Sequence, residues 1–209
     1  MTGTLLPMFP LSAVLFPHAA MPLHVFEPRY RELMRDCVAG DRRFGVVLIE
    51  RGSEVGGGDT RAALGTRGVI TRAAELPDGR WVLEVRGEVV VVIDEWLPDE
   101  PYPRALVHER GPVPAERDPG ALLDDAVGRL RRARALLSEH GGGVPLEPGH
   151  DLDGGGDAER AAWLLCGAAP VSAYDAQRLL AADGVAERLA LVVELMDDLE
   201  LDLRRMLAE

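Results

Sequence analysis

Few side chains here could attack a substrate. Ser12, Ser53, Ser138 and Ser172 are the only serines, and none stands in a G-x-S-x-G turn. Ser172 lies three residues before Asp175 at the head of an apolar helical pattern, so it reads as a helix cap. All 23 basic residues are arginine. Without lysine there is no Schiff-base amine, no Ser–Lys pair and no phosphate-loop lysine. Cys37 and His24 could meet in space as a thiol–imidazole pair, but Cys37 falls on an apolar helical stripe and reads as a core thiol.

Metal chemistry finds equally little. His18, His24, His108, His140 and His150 show no zinc spacing. Asp151, Asp153 and Gly156 match three positions of a calcium loop. Gly155 and Ala162 stand where further oxygen ligands are needed, so the segment reads as a flexible loop. No metal and no cofactor is expected.

The elements that position these residues begin with a charge-free stretch, since the first 26 residues contain no Asp, Glu or Arg. Pro7, Pro10, Pro17 and Pro22 break any helix there. No window approaches the roughly 20 apolar residues of a membrane span, and a basic export signal is missing. The stretch is therefore expected to form buried strands at Met8–Phe16 and Leu23–Phe26. With Cys37 and Cys166 as free thiols, the expected compartment is cytoplasmic.

Glu27 and Pro28 then open a helix in which Tyr30, Leu33, Met34, Cys37 and Val38 share one face, and Gly40 caps it. Phe44–Glu50 reads as a buried strand and residues 52–60 as a glycine-rich loop. Asp78-Gly79 marks a hairpin, Trp81, Leu83 and Val85 alternate as a buried face, and Gly87 permits a bend before Val89–Ile93. Arg104–His108 completes a sheet of about six strands, which should curl toward a small barrel.

Six prolines between Pro98 and Pro119 end the sheet pattern and place a boundary near 111–118. Beyond it the pattern is helical. Leu123, Ala126, Leu130, Ala133 and Leu137 share one stripe, and a polar loop spans 141–156. Ala158–Ala168 forms a short helix. Val185, Leu189, Val192, Met196, Leu199, Leu203 and Met206 form a long seam, read as bundle core over an intermolecular coiled coil. The expected class is α+β, with a β-rich subdomain at 1–112 carrying one helix and a helical bundle at 113–209.

Net charge is −12, with 13 arginines against 16 acids in residues 1–112 and 10 against 19 in residues 113–209. Such a surface repels phosphate backbones, which argues against nucleic-acid binding. Arg129, Arg131, Arg132 and Arg134 read as a solvated helix surface.

Phe9-Pro10-Leu11, Val14-Leu15-Phe16-Pro17 and Pro22-Leu23-His24-Val25-Phe26-Glu27-Pro28-Arg29-Tyr30 stand in order, followed by Phe44-Gly45-Val46-Val47-Leu48, Glu54-Val55-Gly56, Gly65-Thr66, Leu76-Pro77-Asp78-Gly79-Arg80 and Pro101-Tyr102. This succession resembles the N-terminal, substrate-binding domain of Lon proteases, over nearly the whole chain. Two departures stand out: His18 replaces a usual glycine, and Gly87-Glu88-Val89 lacks a usual Arg-Phe pair. The resemblance implies a PUA-like β subdomain followed by a helical bundle, without the ATPase and protease domains, as in a stand-alone member.

It also implies a non-catalytic module for exposed apolar segments of unfolded or client polypeptides, working with a separate protease. A small-molecule or RNA-binding PUA-like protein is the alternative, and a weak homo-oligomer through the last helix is a further arrangement. His24, Glu27, Arg29 and Tyr30 carry two readings. They lock the strand-to-helix turn, or they edge a peptide groove between β subdomain and bundle.

Overall fold

A computed structural model describes residues 3–52, 58–111, 113, 119–139, 141, 152 and 154–207. The chain divides into two compact units, Met1–Gly111 and Pro112–Glu209. Most of segment 111–118, and most of the 141–156 loop, lie outside the described residues.

The first unit contains β1 (Thr4–Leu11), β2 (Ala20–Val25), α1 (Pro28–Ala39), β3 (Arg43–Arg51), β4 (Thr60–Glu75), β5 (Trp81–Leu97) and β6 (Arg104–Glu109). The strands form one sheet in the order β2-β5-β4-β3-β1-β6. β1 runs parallel to β3, and the other pairs are antiparallel. β5 pairs with β4 along one edge and is long enough to serve two neighbours along the other. Its Trp81–Arg86 half pairs with β2, and its Val91–Leu97 half pairs with β6. Of the two forms expected, the molecule takes the curled sheet, turned back on itself through β5–β6.

β1 explains the missing charges. Leu6 and Met8 join one buried cluster with Val47, Val91 and Val107. Phe9 and Leu11 join another with Tyr30, Leu33, Phe44 and Val85. A strand buried on both faces reads as a continuous apolar run. It stops at Leu11, however, earlier than the Phe16 expected from sequence. Leu15 and Phe16 are buried in a loop that leaves the ladder, so their apolar character imitated a continuing strand. β2 starts at Ala20, ahead of the expected Leu23, because Pro22 is tolerated on a strand with one free edge.

The loop returns to the sheet at Gly87. Pro17 bridges to Gly87, the His18 N–H donates to the Gly87 carbonyl at 2.9 Å, and the Gly87 N–H donates to the Ala19 carbonyl at 3.0 Å. A Cβ on Gly87 would stand 2.1 Å from the Phe16 carbonyl oxygen. His18 holds φ at 65°, in the left-handed region that glycine enters without penalty. A residue other than glycine carries a conformational cost there.

β5 does not break at Gly87. Arg67 faces Val89 and Gly68 faces Gly87, which leaves Glu88 as a one-residue bulge that bends an unbroken strand. Glu88 accepts from Arg43 Nε at 2.8 Å and from Arg67 Nε at 3.1 Å. Donation from Arg43 holds its carboxyl below the usual range, against the opposing effect of partial burial.

α1 forms as its pattern requires, with Tyr30, Leu33, Met34 and Cys37 buried. Gly40 caps it at φ −100°, its N–H donating to the Asp36 and Cys37 carbonyls. The left-handed residue is Arg42 at φ 64°, anchored by Nε on the Ile70 carbonyl at 2.9 Å.

The second unit holds α2 (Gly120–Glu139), α3 (Ala158–Ala168), α4 (Ala173–Ala181) and α5 (Gly184–Leu207). Ser172 caps α4 by accepting from the Asp175 N–H at 3.1 Å, and Asp157 caps α3. Ala126, Leu130 and Ala133 are buried on α2, as are Leu189, Val192, Met196 and Leu203 on α5. Two expectations need correction. Met206 is 63% exposed, so the seam ends at Leu203. The arginines of α2 are not merely solvated: Arg129 pairs with Asp125 and Asp197, Arg132 approaches Glu200 at 3.8 Å, and Arg134 donates to the Ala168 carbonyl at 2.7 Å. The seam also carries an unforeseen charge. Arg188, 4% exposed, lies 3.4 Å over the Trp163 ring and donates to the Ala182 carbonyl.

Two substitutions test the Gly87 crossing by chemical denaturation. Gly87→Ala should cost about 2–3 kcal/mol, because rigid backbone must move. His18→Gly should gain up to about 1 kcal/mol, whereas His18→Val should lose about 1 kcal/mol or more.

Candidate functional site

Where β1 ends, β2 lies and α1 begins, the first unit forms an open cavity of about 190 Å³. Its lining comes from residues 9–30 alone, including Leu11, Leu23, His24, Phe26, Glu27 and Tyr30. Leu11 is buried, while Phe26 stands 56% exposed at the rim. The walls are mostly apolar, and His24, Glu27 and Tyr30 are the lining residues with polar side chains.

Each polar group is placed by an element. His24 sits on β2 opposite Val82. Glu27 occupies the N-cap position of α1, but its side chain makes no capping hydrogen bond. Instead it accepts from Arg29 Nε at 3.2 Å. Pro28, with its fixed φ, starts the helix and needs no donor partner. Tyr30, the third residue of α1, is 3% exposed. Its ring meets Phe9 edge-to-face with centroids 4.5 Å apart, and the Arg29 guanidinium lies 4.4 Å over its centroid.

Three of the four residues singled out from sequence thus line one cavity. Arg29 is not part of the lining; its Nε–H donates to Glu27 while its guanidinium lies over the Tyr30 ring. The walls contributed by Leu11 and Phe26 were not foreseen, because contact between β1 and the β2–α1 turn is long-range and leaves no periodic trace.

Burial pushes the Tyr30 phenol from 10.0 up to about 12, with Arg29 opposing and Glu27 reinforcing the shift. It therefore stays a neutral donor at ordinary pH. Nearby, Arg61 is clamped between Asp59 at 2.6 Å and Asp99 at 2.7 Å and stacks 4.6 Å over Trp96. Asp59 and Arg61 act on Tyr30 with opposite signs.

Cys37 donates its thiol to the Arg43 carbonyl at 3.3 Å, and burial pushes it up to about 12. Burial does the same to Cys166. Neither is an activated thiolate. Among the described residues no cluster of His, Cys, Asp or Glu is placed to hold a metal ion. Ser53, His140, His150, Asp151 and Asp153 lie outside them. Among the described residues, no helix is long and apolar enough to cross a membrane.

The family model for the ATP-dependent protease La (LON) substrate-binding domain matches residues 5–198. The chain belongs to the Lon substrate-binding domain family. Two relatives fix its extent. It is 33% identical over 106 residues to a Lon protease of Flavobacterium johnsoniae, covering 50% of this chain and 13% of that protein. It is 27% identical over 194 residues to Lon protease 1 of Herpetosiphon aurantiacus, covering 89% of this chain and 23% of that one.

Among solved structures, the Lon N-terminal domain protein from Xanthomonas campestris superposes with a TM-score of 0.66 at 27% identity, over 91% of this chain and 98% of its own. The N-terminal domain of Mycobacterium avium complex Lon protease shares the fold, with a TM-score of 0.62 at 17% identity, over 93% and 99% of the two chains. The resemblance drawn from the Phe9–Tyr30 succession thus holds across the chain. What matches is the substrate-binding domain and not the proteolytic one.

Because the folded phenol titrates above its unfolded value, its contribution to stability is complete below pH 10.0 and is lost as pH rises toward about 12. Denaturation midpoints measured across that interval should fall, and the fall should be smaller in Tyr30→Phe.

Proposed function

We propose that the chain is a non-catalytic polypeptide-binding module that seats one apolar side chain of a client segment in the cavity between β1, β2 and α1. The observation that carries this reading is the cavity's size and lining. At about 190 Å³ it falls below the roughly 300–1,000 Å³ that small-molecule sites occupy. It suits a single side chain presented by a longer chain, which an exposed Phe26 can cover from the rim.

The mode of docking is pocket filling. β2 is an edge of the sheet, but Pro22 at its centre removes a main-chain donor, as edge strands do to discourage added strands. The acidic net charge weighs against the RNA-binding alternative. The compartment in this reading is cytoplasmic, and the partners are unfolded or client polypeptides together with a separate protease. The boundary after residue 112 would part a recognition unit from a helical one, in keeping with the contact division at Gly111.

An N-acetylated, C-amidated pentapeptide of glycines with one central leucine provides the probe. In NMR titrations Phe26→Ala should weaken its binding about fivefold or more, the loss of one rim aromatic contact. Folding stability should change by less than about 0.5 kcal/mol. Tyr174→Ala, at a 73% exposed position on α4, should leave affinity unchanged. Equal affinity in all three proteins would contradict the proposal.

A further inference from the structure

The second unit carries a surface that its core does not use. Between α4 and α5 runs an open groove of about 470 Å³, more than twice the volume of the cavity in the first unit. Ala181 and Ala190 are exposed along it, and Leu191 is half-buried. Side chains this small let a further helix come close, since the distance between packed helices is set by the residues at the contact. Tyr174 stands four residues before Arg178 and seven before Ala181, on the same stripe of α4, and is 73% exposed. An exposed aromatic beside an apolar groove has the composition of a docking surface.

The charges at the groove narrow what can cover it. Three carboxylates, Asp175, Glu187 and Glu194, stand against one guanidinium, that of Arg178. Arg178 is divided between Asp175 at 3.0 Å and Glu194 at 3.5 Å. Glu187 is exposed, and one of its two oxygens accepts from the Asp183 N–H at 2.7 Å. The surrounding unit adds its own excess, 19 acids against 10 arginines in residues 113–209. Phosphate, an anionic lipid surface and a second copy of this chain would all be repelled. A basic polypeptide would be attracted.

The spacing adds a pattern to the charge. Glu187 and Glu194 are seven residues apart on α5, two turns or about 10 Å along one stripe, with Ala190 and Leu191 between them. A helix laid in the groove meets both carboxylates when it repeats that interval. We infer that the α4–α5 groove is a second docking surface, which receives an amphipathic helix bearing lysine or arginine at positions i and i+7 and apolar side chains at i+3 and i+4. It stands on the second unit alone and is independent of the cavity in the first.

The full chain is titrated calorimetrically with a blocked helix of about 18 residues, rich in alanine and glutamine, that carries two lysines seven residues apart and two leucines between them. A second peptide has glutamate in place of both lysines, and a third moves the lysines to the face opposite the leucines. The first should bind about tenfold or more tightly than the second, and added salt should shrink that difference. Glu187→Gln, which keeps an acceptor for the Asp183 N–H, should weaken the lysine helix about two- to fivefold. Tyr174→Ala should weaken it about fivefold. Ala190→Arg, at an exposed position, should abolish binding, and its fold is checked by far-ultraviolet circular dichroism.

Four outcomes overturn the inference. The lysine helix binds no more tightly than the glutamate helix, or the opposite-face peptide binds as well as the first. Alternatively, both Glu187→Gln and Ala190→Arg bind the lysine helix as the native chain does. Finally, sedimentation equilibrium finds a native dimer that Ala190→Arg dissolves, which would assign the groove to a second copy.

Discussion

The first unit depends on β1 being buried on both faces. Leu6 and Met8 supply one core, Phe9 and Leu11 the other, so the strand cannot carry a charge anywhere along its centre. Once β1 occupies that position, the chain must leave the ladder, cross the sheet and come back as β2 on the outer side of β5. The crossing works because Gly87 lets the Phe16 carbonyl approach to a distance no Cβ would allow. Everything that shapes the cavity follows from this route. β1 provides the floor, β2 a wall, and α1 begins where the returning strand ends.

Phe9 links the core to the site. Its ring packs against Tyr30 and, with centroids 6.1 Å apart, against Phe44. The first turn of α1 is thereby fixed to a buried strand. Arg29 completes the arrangement from the solvent side. A buried phenol, a paired carboxylate and an apolar floor make a surface suited to an apolar side chain. None of these groups resembles an activated nucleophile.

Much of this was legible in the sequence, and the misses have physical causes. The stripe Tyr30, Leu33, Met34 and Cys37 predicted α1, and Asp78-Gly79 predicted the β4–β5 hairpin, because both signals are local. The sequence places β1 too late, at Met8–Phe16 in place of Thr4–Leu11, because Leu15 and Phe16 are buried by a crossing loop, and burial alone does not distinguish a loop from a strand. The bend expected at Gly87 is a bulge at Glu88 within one continuous strand, set by the register of a neighbour, Arg67 facing Val89, which sequence periodicity does not contain. His24, Glu27 and Tyr30 could be marked from the sequence as a cluster. Their convergence with Leu11 on one cavity required the fold. Arg188 hid within the α5 seam because its partner, Trp163, lies on another helix.

The measurement that tests the account most directly is intermolecular NOE spectroscopy on the complex with the blocked leucine pentapeptide. The account predicts contacts from the leucine methyl groups to the side chains of Leu11, Leu23, Phe26 and Tyr30, which line the cavity. Methyl contacts confined to α4 and α5, or a complete absence of contacts to those four residues in a peptide that binds, would contradict it.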